Sequence, residues 1–338
     1  MKKYLLPKEG MFYKANLHCH STFSDGKLTP AQLKEVYKAK GYSVVAFTDH
    51  DIMVAHQELA DEEFLPLNGY EMEVNEPKTS EMVQSKVCHM CLVALEPDNL
   101  KQVCWHREKY IPKAVQNNTP NYKELVQIYD DEPDYERIYS PEGISDMMRR
   151  GREQGFFVTY NHPTWSQETY EQYTGYQNMH AMEICNYECM CLGYEEYNAR
   201  VYDEMLRAGK KIYCIGADDT HGIHAVGGAY IMIKADKLEY RTITRALEEG
   251  RFYASQGPEI RELWVEDGEL HVKTSDAERI LFNCGNRKAK QCTAAEGESV
   301  NEATFALTEQ QIYVRVTVID HKGKIANSNA YFISDILK

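Results

Sequence analysis

The chain reads as an α/β protein with an all-β segment at its C-terminus, and three features say so. Strand and helix signals alternate through the early sequence, as they do in βα units. Six apolar runs end on metal-ligating side chains: His18-Cys19-His20 with Asp25, Thr48-Asp49-His50, Gly69-Tyr70-Glu71, His89, Asn161-His162-Pro163 and Asp219-Thr220-His221. Strand ends are where barrel enzymes keep their chemistry. After Gln256-Gly257-Pro258 the pattern changes to short β-type runs divided by Asp-Gly, Cys-Gly-Asn and Lys-Gly turns.

The elements follow in order. Thr29-Pro30-Ala31-Gln32 opens a helix, with Thr29 as N-cap, Pro30 at the first helical position and Gln32 reaching back to the cap. Leu33, Val36 and Tyr37 give it one apolar face, and Gly41 ends it. Residues 43–47 form a buried strand that delivers His50. Residues 97–139 are polar, rich in tyrosine and punctuated by Pro97, Pro112, Pro120 and Pro133. They read as an insertion, either a lid over the mouth of the site or a surface subdomain that only packs.

The βα pattern then resumes. Ser140-Pro141 starts a helix that closes near Gly151 or Gly155, and residues 156–160 run as a strand into His162. A strand is expected over 182–185, a helix over 195–208 ended by Gly209, a strand over 212–215 and a last helix over 237–249 stopped by Gly250. The runs at 263–265, 269–273, 279–282, 304–307, 312–319 and 330–333 predict a small β-sandwich. The expected division is therefore 1–258 and 259–338. The second unit carries no ligand cluster, so packing or oligomerisation is its expected role.

Composition narrows the function. With 338 residues, 43% of them apolar, the chain can bury one large core and a smaller second one. A net charge of -14 disfavours a protein that tracks long nucleic acid. A small anionic substrate stays compatible, because bound cations reverse the local field. Ten scattered cysteines do not resemble a disulfide scaffold, which makes a reduced, cytoplasmic protein the expectation. No apolar stretch of about 18 residues is present, so membrane insertion is not expected.

His18 and His20, two apart on an extended segment, put their imidazoles on one side, where the pair can grip one ion. The Asp25-Gly26 turn reads either as a simple approach to the next helix or as a return that brings a carboxylate back to the same strand end. The segment Asn16-Leu17-His18-Cys19-His20-Ser21-Thr22-Phe23-Ser24-Asp25-Gly26, with Val45-Ala46-Phe47-Thr48-Asp49-His50-Asp51, closely resembles the PHP (polymerase and histidinol phosphatase) metallohydrolase family. Glu71, His89, His162, Asp219 and His221 match the remaining motifs in order, and the resemblance covers residues 14 to 258 apart from the insertion.

That resemblance implies a distorted (β/α)7 barrel, similar to a TIM barrel, with two to three divalent ions, Zn, Mn or Fe, at its C-terminal face. It implies that His18, His20, Glu71 and Asp219 hold one ion. Glu71, His89 and His162 would hold a second, and Asp25, His50 and His221 a third. Glu71 is then a bridging carboxylate, although Glu73 on the same face is an alternative. Asp219 is preferred to Asp218 for its spacing to His221, and Asp49 is a candidate to orient a ligand.

The function implied is hydrolysis of a small phosphorylated substrate by a metal-bridging hydroxide, with Glu71 and Asp219 at the centre and His224 as a candidate proton donor. A carboxyl-ester, amide or carbamate hydrolase on the same site is the alternative. A nuclease and a non-catalytic metal-binding module rank below both. Six neutral imidazoles and three carboxylates around three divalent ions leave a formal charge of about +3, which suits a phosphate dianion. Cys88 and Cys91 bracket His89 but lack a second pair, so they read as core residues.

Overall fold

The computed structural model describes residues 2–77, 86–128 and 133–337. Residues 129–132 of the expected insertion lie outside them. The chain begins with strands β1 (Lys3–Tyr4) and β2 (Met11–Asn16), then helix α1 (Pro30–Ala39) and strand β3 (Val44–Phe47). The expected capping box is present: Thr29 accepts from the Gln32 amide and Gln32 returns the bond to the cap. Leu33 and Tyr37 are fully buried.

Strands β4 (Leu65–Asn75) and β5 (Val87–Ala94) pair antiparallel. Short helices α2 (Lys113–Asn118) and α3 (Tyr122–Leu125) occupy the insertion. Helix α4 (Pro141–Glu153), capped by the Ser140 hydroxyl, leads to β6 (Phe156–Tyr160). Then come α5 (Tyr170–Gly175), β7 (Ala181–Asn186), α6 (Tyr187–Cys191), α7 (Ala199–Arg207) and β8 (Tyr213–Ala217). The helix expected over 195–208 begins only at Ala199, because the sheet claims the residues before it. The Glu196 carboxylate accepts from the Thr164 and Trp165 amides, and the Asn198 amide donates to Ile184 O at 2.7 Å. Strand β9 (Tyr230–Ala235), helix α8 (Tyr240–Glu248) and strand β10 (Phe252–Ser255) complete this part.

Strands β2 to β8 lie side by side in sequence order. Parallel pairs join β2, β3 and β4 and again β6, β7 and β8, whereas β5 is antiparallel to both neighbours. The fold is thus mixed α/β, and the expected barrel is not closed by a ladder. Among the described residues β2 and β8 meet through one bridge, Cys19 to Thr220, just beyond their ends. Instead β9 pairs with β2 and carries the sheet on through β10.

The C-terminal strands are β11 (Ile260–Glu266), β12 (Glu269–Ala277), β13 (Arg279–Cys284), β14 (Lys290–Thr293), β15 (Val300–Ala306), β16 (Tyr313–Ile319), β17 (Ile325–Ser328) and β18 (Tyr331–Phe332), with helix α9 (Ile333–Ile336) last. Asp267 and Gly268, both at positive φ, make the tight β11–β12 hairpin turn. Two sheets enclose a core that includes Leu263, Val272, Phe282, Phe305 and Val316. One sheet, β1-β11-β12-β15, includes the N-terminal strand. The other joins the main sheet where β17 pairs with β10. Arg315, its side chain 3% exposed, reaches Asp203 of α7 at 2.8 Å and ties the two parts together.

The ten cysteines carry no disulfide, and Cys88 and Cys91 are buried core residues. No helix among the described residues is long and apolar enough to cross a membrane.

Candidate metal centre

His18 and His20 follow β2, His50 follows β3, His162 follows β6, and Asp219 and His221 follow β8. Glu71 and His89 project from within the β4–β5 hairpin. All nine expected ligands gather here. The loop bearing Asp25 is held by Asp49, whose carboxylate accepts from the amides of Ser21 and Ser24 and from both their hydroxyls. Asp49 therefore fixes the Asp25 loop. Gly26 allows the return, since a Cβ there would lie 2.3 Å from His20 O. His162 (φ 25°) and Asp219 (φ 51°) sit in a left-handed conformation, an uncommon backbone state that clusters at functional sites.

Glu71 is the hub and is 1% exposed. Its Oε1 lies 3.1 Å from His18 Nε2, 3.1 Å from His89 Nδ1 and 3.3 Å from His162 Nε2. Its Oε2 lies 3.3 Å from His20 Nε2 and 3.2 Å from His50 Nδ1. Of the imidazoles Glu73 reaches His89, at 3.4 Å, and its other oxygen accepts from the Asn75 side chain, which leaves Glu71 rather than Glu73 at the centre of the cluster. Four groups have ligand atoms close enough to share an ion: His18, His20 and Asp219; His18, Glu71 and His162; His50, Glu71 and His89; and His20, Asp25, His50 and His221. His20 and His50 thus bridge groups that the sequence kept apart.

Donor chemistry shows what fits between them. His18 Nδ1 lies 2.7 Å from Glu183 Oε1, so in the neutral imidazole that nitrogen carries the proton and Nε2 presents a lone pair. This Nε2 faces His20 Nε2, Glu71 Oε1 and Asp219 Oδ1, each at 3.1 Å. With both imidazoles neutral, as a bound cation requires, electron-rich atoms converge here with no hydrogen to share. Asp219 Oδ1 and His50 Nδ1 are buried without a hydrogen-bond partner. Divalent cations in more than one of these groups would satisfy these atoms, and imidazole with carboxylate is the donor set such ions take.

Without an ion, protons take its place. Burial opposes charge on His20, yet Asp219 and Glu71 outweigh it and hold the imidazole up to about 10. Burial likewise opposes charge on His89, which Glu71 and Glu73 hold up to about 10. His50 goes the other way, pushed down to about 4 by burial and by the charge on His20. Loading with Mn or Zn at pH 8 is therefore expected to release protons from His20 and His89. Calorimetric titration in buffers of different ionisation heat reads this release, and a buffer-independent enthalpy contradicts it.

Four residues at the site escaped the sequence reading. Glu183 is fully buried and accepts from His18 and from the His162 amide, fixing both ligands. Its sequence signal was a lone carboxylate in an apolar strand. Trp165 packs edge-on against His162 at 4.9 Å between ring centres. With Glu188 and Leu192 it borders a cavity of about 360 Å³ that the ligands also line. His224 does not line that cavity. It is half exposed, with Nε2 3.0 Å from Glu188 Oε1. Asp218 binds the Tyr42 hydroxyl and the amides of Gly227, Gly228 and Ala229, a structural staple beside the ligand Asp219.

Fold and site together define a mixed α/β protein with a polyhistidine metal centre. The PHP domain family model matches residues 16–218, more than half of the chain, and the chain belongs to that family. Over 48 residues it is 46% identical to a 5'-3' exoribonuclease of Haemophilus influenzae, a match spanning 14% of this chain and 18% of that relative's length. Among solved structures it is similar to a two-domain protein from Bacteroides vulgatus containing a predicted PHP-like metal-dependent phosphoesterase. Identity there is 15%, 98% of each chain is covered, and the TM-score is 0.43. It is also similar to an amidohydrolase from Chromobacterium violaceum with bound sulfate, at 14% identity over 62% of this chain and 87% of that one, with a TM-score of 0.38.

Proposed function

We propose that this PHP protein is a metal-dependent hydrolase whose substrate is a small phosphorylated molecule. The observation that carries the reading is the convergence of lone pairs from His18, His20, Glu71 and Asp219 beside a cavity of small-molecule size. In this reading β2 to β8 serve as an open (β/α)7-like barrel. Divalent ions held there supply Lewis acidity and lower the pKa of water toward neutrality. Glu183 keeps His18 in the ligating tautomer, and Asp49 holds the loop that carries Asp25. Trp165 and Leu192 add apolar surface to the cavity wall.

One observation favours the second reading, a carboxyl-ester, amide or carbamate hydrolase. Among the described residues, no lysine or arginine lines the cavity. Three further carboxylates, Glu73, Glu183 and Glu188, stand against the ligands or the wall. They cut the formal charge beside three divalent ions from about +3 to about zero. The ions themselves would then be the main attraction for a phosphate.

A panel on metal-loaded protein separates the readings. Phosphomonoesters are expected to turn over at least ~10-fold faster than carboxyl esters of the same alcohol, a barrier difference of about 1.4 kcal/mol. Inorganic phosphate is expected to inhibit competitively. If phosphate does not inhibit while carboxyl esters or carbamates are cleaved, the second reading replaces the first.

A further inference from the structure

The cavity has two sides of different chemistry. The imidazoles and shared carboxylates of the metal centre form one. Glu188, Cys189 and Leu192 of α6 and its cap form another, with Trp165 beside His89 and His162. Glu188 belongs to none of the candidate ion groups. It is 7% exposed, yet its carboxylate is only half used. Oε1 is 3.0 Å from His224 Nε2, and Oε2 is buried with no hydrogen-bond partner.

A buried carboxylate oxygen without a donor is costly, and in a cavity wall it asks for a donor from the ligand. The position of Glu188 is fixed relative to the metal centre. Its amide donates to Asp218 O at 3.0 Å, next to the ligand Asp219. The Asn186 side chain caps α6 through the Cys189 amide and donates to both Glu183 and Asp219. A ligand group bound by Glu188 therefore sits at a set distance from the reacting end.

We propose that Glu188 is a specificity-determining residue that binds a cationic amine on the substrate, with Leu192 and Trp165 covering the apolar spacer between that amine and the scissile group. An ammonium group fits for two reasons. It supplies the donor that Oε2 lacks, in a charge-assisted bond about twice as strong as a neutral one. Among the described residues, no lysine or arginine lines the cavity to compete for the carboxylate. The other oxygen, Oε1, is paired with the half-exposed His224, while the buried packing of α6 and its cap sets the carboxylate's position. Resting on the hydrolase reading only for where the reacting end lies, the substrate class is a small ester or phosphoester with an alkylammonium tail.

The test is equilibrium binding of two isosteric anions, 3-aminopropylphosphonate and butylphosphonate, to metal-loaded full-length protein. Neither needs to be cleaved, so the result is independent of which ester the enzyme hydrolyses. The amine is expected to bind at least ~10-fold tighter in the wild type, in line with a hydrogen bond to a charged group. In Glu188→Gln that ratio should fall to about one, at unchanged metal content. His224→Ala, at a half-exposed position, should keep or widen the ratio.

Equal affinities in the wild type overturn the proposal, as does a ratio that survives Glu188→Gln. Loss of ions in Glu188→Gln would make Glu188 a ligand and also overturn it. If Glu188→Gln does not fold, the wild type and His224→Ala decide, because a ratio that collapses in His224→Ala moves recognition to the imidazole. Kinetics give a parallel reading, with 3-aminopropyl phosphate against butyl phosphate and β-alanine ethyl ester against ethyl butanoate. Failure of all four esters would sink the hydrolase reading while leaving the phosphonate result standing.

Discussion

Glu71→Gln is expected to lower kcat/KM by at least ~10³-fold, about 4 kcal/mol of barrier, on whichever ester the panel identifies. It is also expected to lose ions. Five imidazole nitrogens lie within 3.3 Å of this one carboxylate, so under the proposed reading its charge would serve more than one ion at once. Glutamine keeps the volume but removes that charge and places an N–H where a cation should sit, leaving neighbouring ions to repel one another. His89→Ala removes one ligand at the cavity wall and should cost less. Elemental analysis is the companion measurement, with more than one divalent ion per chain expected in the wild type and fewer in Glu71→Gln. Equal activity losses in the two variants at equal, undiminished ion content would remove Glu71 from its bridging role.

That the nine candidate ligands gather in one place was legible in the sequence, most directly for His18, His20, His50, His162, Asp219 and His221, which follow strand ends that collect at one face of a sheet, whereas Glu71 and His89 lie within β4 and β5. The capping box at Thr29 and the Ser140-Pro141 helix start were legible too, since caps are local chemistry. How ligands share ions was not. His20 stands beside both Asp219 and Asp25, a proximity created by the Asp49-held loop and by the bridge between Cys19 and Thr220. Glu183 and Glu188 lie in segments with no motif, and only the folded chain shows that one buttresses His18 and the other faces the cavity.

The sheet departed from expectation for a similar reason. A short parallel strand and a short antiparallel strand look alike when both are fully buried, so the reversal of β5 left no periodic signal. The pairing of Lys3–Tyr4 with Trp264 and Val265 joins residues at opposite ends of the chain, which local pattern cannot reveal. The absence of lysine and arginine from the cavity wall, among the described residues, is equally a tertiary fact. It bears on substrate charge more directly than the net charge of the whole chain does.

The insertion offers the clearest case of a role that only contacts reveal. None of its described residues lines the cavity. Instead it grips the loops that carry the ligands: Gln102 bonds Asp51 O and the Met53 amide, and Asn118 and Thr119 bond Ser24 O and Phe23 O. Arg137, its side chain 2% exposed, meets the fully buried Asp51 at 2.5 Å and Glu73 O at 2.8 Å. This pair locks the insertion to the residue after His50.

Arg137→Met is therefore expected to destabilise the protein by about 3–5 kcal/mol, the cost of leaving a buried charge without its partner. Burial already pushes Asp51 up to about 6 despite Arg137, so the carboxyl has little tolerance for losing that support. Adding Asp51→Asn to Arg137→Met removes the stranded charge and should recover more than half of the loss, a coupling that a double-mutant cycle isolates. Denaturant unfolding of all four proteins at one pH, with metal content measured for each, gives the cycle. A loss under ~1 kcal/mol in Arg137→Met, or strict additivity of the two substitutions, would show that the insertion only packs against the metal-binding loops and does not brace them.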